Sequence, residues 1–289
     1  MSVVPYLQLT KPRLLPLVLF SGLPALLLAA ERWPEPELIL WTLLGTAMAA
    51  GAANAFNSYL ERHPDARMKR TRARPLPAGA LQPGRALTFG LVLSVGGTGL
   101  LWLGAGIVPA ALATAAILVY VFVYTLWLKP RHPVAVVVGG LSGAIAPLIA
   151  DAAVRGSVGL PGLILFAIIF LWQPPHFYAI TLYRQSDYTS AGFPTLADRV
   201  GARSVRRRII AWVAFLIPVS LLPLAVSRLG PLYGAAAVLL GAWLLWHAIR
   251  LNRLANDAAA QRFFRVSIVY LSGLFLVMLV DTLIWGTSL

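Results

Sequence analysis

NAFNSYLERHPDARMKRTRARPLPAG, residues 54–79, follows an uncharged apolar run from Leu38 to Leu60. It carries first the oxygen donors Asn57, Glu61 and Asp65, then the cations Arg67, Lys69, Arg70, Arg72 and Arg74. Asn57, Glu61 and Asp65 are spaced i, i+4, i+8, so a continuous helix sets all three in one row. Pro64 works against that helix, because it disfavours helical geometry at His63 and has no backbone N–H. The expectation is therefore that Asp65 reaches in from a loop.

Composition sets the medium in which that stretch works. Of 289 residues, 59% are hydrophobic and 12% charged, far from the roughly 25% charged of soluble domains. Charge-free runs at 14–30, 38–60, 86–128, 133–150, 156–183, 209–227, 229–249 and 266–280 approach the roughly 20 residues a membrane helix needs. The run at 86–128 is long enough for two spans, broken near Gly104, Gly106 and Pro109. The reading is an all-α polytopic membrane protein of nine transmembrane helices around a central cavity, a single integral-membrane domain over 1–289. The first run is kept as a helix because no small-residue cleavage site marks it as a signal peptide. There is no cysteine, which excludes disulfides, thiolate nucleophiles and thiolate-ligated metal centres.

The net charge of +14 is explained by sidedness. With the amino terminus cytoplasmic, 21 of the 24 Lys and Arg fall on the inside and only Arg32, Arg155 and Arg228 outside, a strong positive-inside pattern. Nucleic acid is not needed to account for it. The two long inside loops, about 61–85 and 184–208, hold most of this charge together with Glu61, Asp65, Asp187 and Asp198.

Oxygen-only donor sets suit magnesium, which keeps waters and is completed by substrate phosphates, and guanidinium forks bind phosphate oxygens in pairs. Solvated residues capping a span would explain an isolated NxxxExxxD, and a topogenic stop would explain cations alone. Carboxylates placed directly before cations suit a departing diphosphate at a membrane surface. Lys129 and Arg131 end the fourth helix, where a snorkelling lysine is the commoner reading and a phosphate contact the rarer. Gly139, Gly140, Ser142, Gly143 and Ala144 allow close helix packing. In helix six, Gln173, His176 and Arg184 are polar groups in or beside a span, functional candidates by their cost there. His176 could ligate iron, position an acceptor, act as base or sit buried with a satisfied hydrogen bond. Asp187 could supply a second metal site facing the first. A transporter is the rival class, but no acidic residues are spaced through the span centres.

NSYLERHPDARMKRTRARPL resembles the first aspartate-rich motif of the UbiA-type intramembrane prenyltransferases, and its DxxMxRTxxRPL portion resembles the protohaem IX farnesyltransferase (haem O synthase) branch. LTKPRL (9–14), YTLWLK (124–129), GGLSGAIAPLIA (139–150), LWQPPHFYAITLYRQSDY (171–188), AGFPTL (191–196) and SIVYLSGLFLVMLVD (267–281) continue the likeness in order over nearly the whole chain. The resemblance implies that Asn57, Glu61 and Asp65 hold Mg2+ on farnesyl diphosphate, with Asp187 and Tyr188 matching the second motif of this branch. It further matches Arg70 and Arg74 to the RTxxRP signature and His176 to a helix-six histidine, and implies haem B as the acceptor. Arg67, Lys69, Lys129 and Arg184 are substrate-binding candidates by charge and place, and Asp187 a fourth metal donor by its position. Glu61 stands where the family usually has Asp, and His63-Pro64 where an acidic and an apolar residue are usual. A bacterial cytoplasmic (inner) membrane is implied, with the lipid bilayer and haem A synthase or terminal-oxidase assembly as partners. The alternative within the family is an aromatic, quinone-precursor or chlorin acceptor.

Overall fold

The computed structural model describes residues 2–12, 15–30, 33–227 and 229–285. Arg13, Arg32 and Arg228, counted above for sidedness, lie outside the described residues. Among the described residues nine apolar helices follow one another: α1 (Leu15–Ala30), α2 (Pro36–Leu60), α3 (Pro83–Ala105), α4 (Ile107–Leu128), α5 (Ala135–Arg155), α6 (Leu160–Tyr183), α7 (Ala202–Val226), α8 (Pro231–Leu254) and α9 (Asp257–Trp285). The last eight are long and apolar enough to cross a bilayer. The long run at 86–128 does divide, at Gly106, whose φ of 104° suits a residue without a Cβ. Several helices outrun their apolar segments. α7 takes in Arg203, Arg206, Arg207 and Arg208, α8 takes in Arg250 and Arg253, and α9 takes in Arg262 and Arg265. Charge-free runs mark the hydrocarbon core, whereas the helix continues into the headgroup layer with its charged ends in water.

Helices adjacent in sequence pack together from α1 to α9, and α9 returns to α1 and α6. α3 lies on the outside, with Val92, Val95 and Leu103 exposed as a lipid-facing surface requires. α6 is enclosed, its Leu165, Ile168 and Trp172 packing in one core with Val213 of α7, Leu244 of α8 and Tyr270 of α9. The closest approach joins α2 and α3. A Cβ on Gly97 would fall 2.8 Å from the backbone nitrogen of Ala49, so the two backbones meet only because Gly97 has none.

Two buried aspartates tie helix starts to neighbouring helices at the end of the bundle opposite residues 54–79. Asp151 of α5 accepts the amide of Gly159, which caps α6. Asp281 of α9 accepts the amides of Gly230 and Tyr233 at the start of α8, the latter at 3.0 Å. Both are fully buried, and both satisfy donors that every helix leaves free in its first turn.

Candidate active site

The row read in the sequence exists. The amide of Glu61 donates to the carbonyl of Asn57 at 2.9 Å, and that of Asp65 to the carbonyl of Glu61 at 2.8 Å. Asp65 therefore stands on a helical turn, Arg62–Arg67, and not on a loop as expected. Pro64 is tolerated because it falls in the first turn of that short helix, where an N–H has no partner to lose. All three side chains are buried.

Each member of the row meets a cation from a different part of the chain. Lys11, in the connection before α1, donates to Asn57 Oδ1 at 2.7 Å. Lys129, just past α4, bonds Glu61 Oε1. Arg74 reaches Asp65 Oδ2 at 2.7 Å. Its loop is folded back by the buried Thr71, whose hydroxyl donates to the Asp65 carbonyl at 2.8 Å.

The local fold places these cations. Residues Val119–Leu128 of α4 form a π-helix, in which Lys129 N donates to Tyr124 O and Thr125 Oγ1 to Tyr120 O, five residues back. Such wide turns are frequent at functional sites. This one brings Thr125 under Asn57, whose Nδ2 donates to the Thr125 hydroxyl at 3.2 Å, and Lys129 onto Glu61. The Tyr120 and Tyr124 rings lie 5.0 Å apart beside them. Burial, reinforced by Arg74 and opposed by Glu61, lowers the Lys11 ammonium to about 7. Burial acts on Lys129 too, but there Glu61 outweighs it and the ammonium is raised.

The loop after α6 meets the loop after α2 through packing. Met68 is buried with Ala191 and Phe193, and Tyr188 lies against them. The Phe193 ring centre is 4.8 Å from Lys129 Nζ. A cleft lined by Lys129, His132, Tyr124, Tyr188, Phe193 and Thr195 opens beside this contact. Asp187 pairs with Arg184 at 3.5 Å on a partly exposed helix, Gln185–Ser190. Among the described residues no three acidic or histidine side chains stand close enough to share an ion, so Asp187 is not gathered with Glu61 and Asp65. Burial pushes the Asp198 carboxyl up, but hydrogen bonds from the Thr195 hydroxyl and amide and from Gln185 together outweigh it and lower it.

The other sequence candidates divide. Arg67, Lys69, Arg70 and Arg72 are exposed, and Arg74 alone of the five clustered cations turns onto the row. His176 faces α9, with Nδ1 2.8 Å from the Ser267 hydroxyl and its ring between Trp172 and Phe264. Gln173 donates to the Gly140 carbonyl at 2.8 Å, and a Cβ on Gly143 would strike the Gln173 amide, so the small residues of α5 do serve close packing. Lys11, Thr125, Tyr120 and Tyr124 were missed as site residues. LTKPRL and YTLWLK contained them, but no spacing rule joins positions 11 and 125 to position 57.

The donors fit a hard divalent cation. They are all oxygens, buried and aligned, and the pairs engage only one oxygen of each carboxylate, leaving Glu61 Oε2 and Asp65 Oδ1 for a further ligand.

Comparison with known proteins places the chain in a family. The UbiA prenyltransferase family model matches residues 18–278. The chain is similar to a protein of Aromatoleum aromaticum named protoheme IX farnesyltransferase, 46% identical over 276 residues that cover 94% of this chain and 90% of the relative. A protein of Acidiphilium cryptum with the same name is 42% identical over 288 residues, covering 96% and 90%. Among solved structures, a digeranylgeranylglyceryl phosphate synthase superposes with a TM-score of 0.81 at 18% identity, covering 96% of this chain and 98% of that one. A UbiA homologue from Archaeoglobus fulgidus bound to GPP and Mg2+ gives 0.65 at 12% identity, covering 95% and 99%. The chain is a member of the UbiA prenyltransferase family.

Proposed function

We propose that this chain transfers the farnesyl group of farnesyl diphosphate to the 2-vinyl group of haem B, forming haem O. Full-length similarity above 40% to proteins named protoheme IX farnesyltransferase supports the acceptor. The observation that carries the chemistry is the buried row of Asn57, Glu61 and Asp65, each member facing its own cation.

Asn57, Glu61 and Asp65 would hold Mg2+, with Asp187 brought toward them when the second loop closes on substrate. When bound, the ion neutralises charge on the diphosphate oxygens. Arg74, Lys129 and Lys11 hold the leaving diphosphate, and Arg70, Arg67, Lys69 and Arg184 supply positive potential at its mouth. The C1–O bond of the farnesyl diphosphate breaks with its electron pair leaving on the diphosphate. The vinyl group adds to the allylic cation at C1, water captures the new cation, and loss of a proton leaves the hydroxyethylfarnesyl side chain. Burial of the row between membrane-spanning helices limits quenching of the first cation by bulk water. Tyr188 and His176 are assigned to substrate contact, His176 from the α9 side. The setting is the bacterial cytoplasmic membrane with amino terminus and site loops cytoplasmic, and the product passes to haem A synthase or terminal-oxidase assembly.

The test is incubation of purified, detergent-solubilised protein with haem B, farnesyl diphosphate and Mg2+, with 4-hydroxybenzoate as a competing acceptor. Haem O identified by chromatography and mass supports the reading. Farnesylated benzoate with haem B unchanged overturns the acceptor.

A further inference from the structure

Each donor of the row is held by a cation that comes from elsewhere in the chain and ends on a flexible stem. Lys11 is placed deliberately. Its φ of 54° is a left-handed conformation that a lysine rarely adopts. The preceding Thr10 carbonyl is fixed by the Asn54 side chain at 3.1 Å. Lys129 is delivered by the π-helical end of α4 and Arg74 by the Thr71 turn.

The charges do not cancel. With the Lys11 ammonium protonated, two carboxylates face three cations. A divalent ion arriving alone adds to a positive excess and must compete with cations already seated on its ligands. A diphosphate arriving alone must draw the same cations off two carboxylates. An ion and a diphosphate with roughly three negative charges arriving together bring the cluster close to neutrality, and every group keeps a partner of opposite sign.

We propose that Lys11, Lys129 and Arg74 are exchangeable counter-ions, one per donor, so that the row takes a divalent ion tightly only together with a diphosphate that receives the three cations. This rests on the diphosphate reading above and adds to it an obligatory coupling between ion and substrate. Coupling between two ligands is reciprocal, so each must raise the affinity of the other by the same factor.

The experiment uses Mn2+ and inorganic pyrophosphate on the solubilised full chain. Free Mn2+ is read by electron paramagnetic resonance, corrected for the Mn2+–pyrophosphate complex measured without protein. In the unmodified protein pyrophosphate tightens Mn2+ binding by about tenfold or more, and Mn2+ tightens pyrophosphate binding equally. In Lys129→Met, and to a smaller degree in Lys11→Met, Mn2+ alone binds more tightly than in the unmodified protein and the gain from pyrophosphate shrinks. Mn2+ binding that is indifferent to pyrophosphate in the unmodified protein, a measurement needing no variant, overturns the proposal. So do folded variants that bind Mn2+ alone no more tightly. Coupling in a protein that forms no haem O upholds the proposal and removes the acceptor, whereas absence of pyrophosphate binding under every condition overturns both.

Discussion

The molecule buries carboxylates at both ends of its bundle and treats them in opposite ways. Asp151 and Asp281 accept from backbone amides at the starts of α6 and α8, partners that cannot leave without unwinding a helix, and Asp151 has Arg155 3.4 Å away in addition. Glu61 and Asp65 accept from Lys129 and Arg74, side chains that can swing to another anion. Burial alone therefore does not mark a functional carboxylate here. What its partner is able to do marks it.

The sharpest break in that comparison is Asp65→Asn, which keeps the shape and removes the charge. Turnover should fall by about 10²–10³-fold, the loss typical of one electrostatic contact to a developing charge, read as haem O formed per folded protein. Asp281→Ala strands the amides of Gly230 and Tyr233. It should cost about 2–6 kcal/mol of stability at roughly 1–3 kcal/mol per unsatisfied group, seen as a lower thermal midpoint with turnover per folded molecule retained. Gly162→Ala sharpens the same contrast, since its Cβ would lie 2.5 Å from that of Asp151. Overpacking of about 1–3 kcal/mol follows, again in stability and not in rate.

The smallest effect is one of pH. Burial and Arg74 depress Lys11 to about 7 from 10.5, so between these values the folded chain binds fewer protons than the unfolded one. The stability contribution of Lys11 therefore rises with pH across that window. Pyrophosphate reverses the depression by bringing negative charge. Its binding should take up a proton and weaken as pH rises through the window, by at most about tenfold per pH unit. Calorimetry in two buffers of different ionisation enthalpy reads the uptake, and Lys11→Met should abolish it.

The sequence carried what depends on local pattern. Apolar runs located the helices, the glycine at 106 divided the longest run, and the spacing of Asn57, Glu61 and Asp65 foretold one row. It did not carry what depends on where a side chain arrives after folding. Lys11 counted only toward sidedness, because its partner lies 46 residues away. A π-helix has no sequence signature, so the register that seats Thr125 and Lys129 was invisible. Pro64 was read as a break because its position within a new first turn could not be known. Asp151 and Asp281 sit in apolar segments that say nothing of the helix starts they cap.

The most direct measurement is the shift in thermal midpoint that Mg2+ and pyrophosphate together produce in the unmodified chain, in Glu61→Gln and in Asp281→Asn. A ligand held only by the folded state raises the midpoint. The account predicts the rise in the unmodified chain, the same rise from a lower start in Asp281→Asn, and its loss in Glu61→Gln. A rise that survives in Glu61→Gln, or that vanishes in Asp281→Asn, would contradict it.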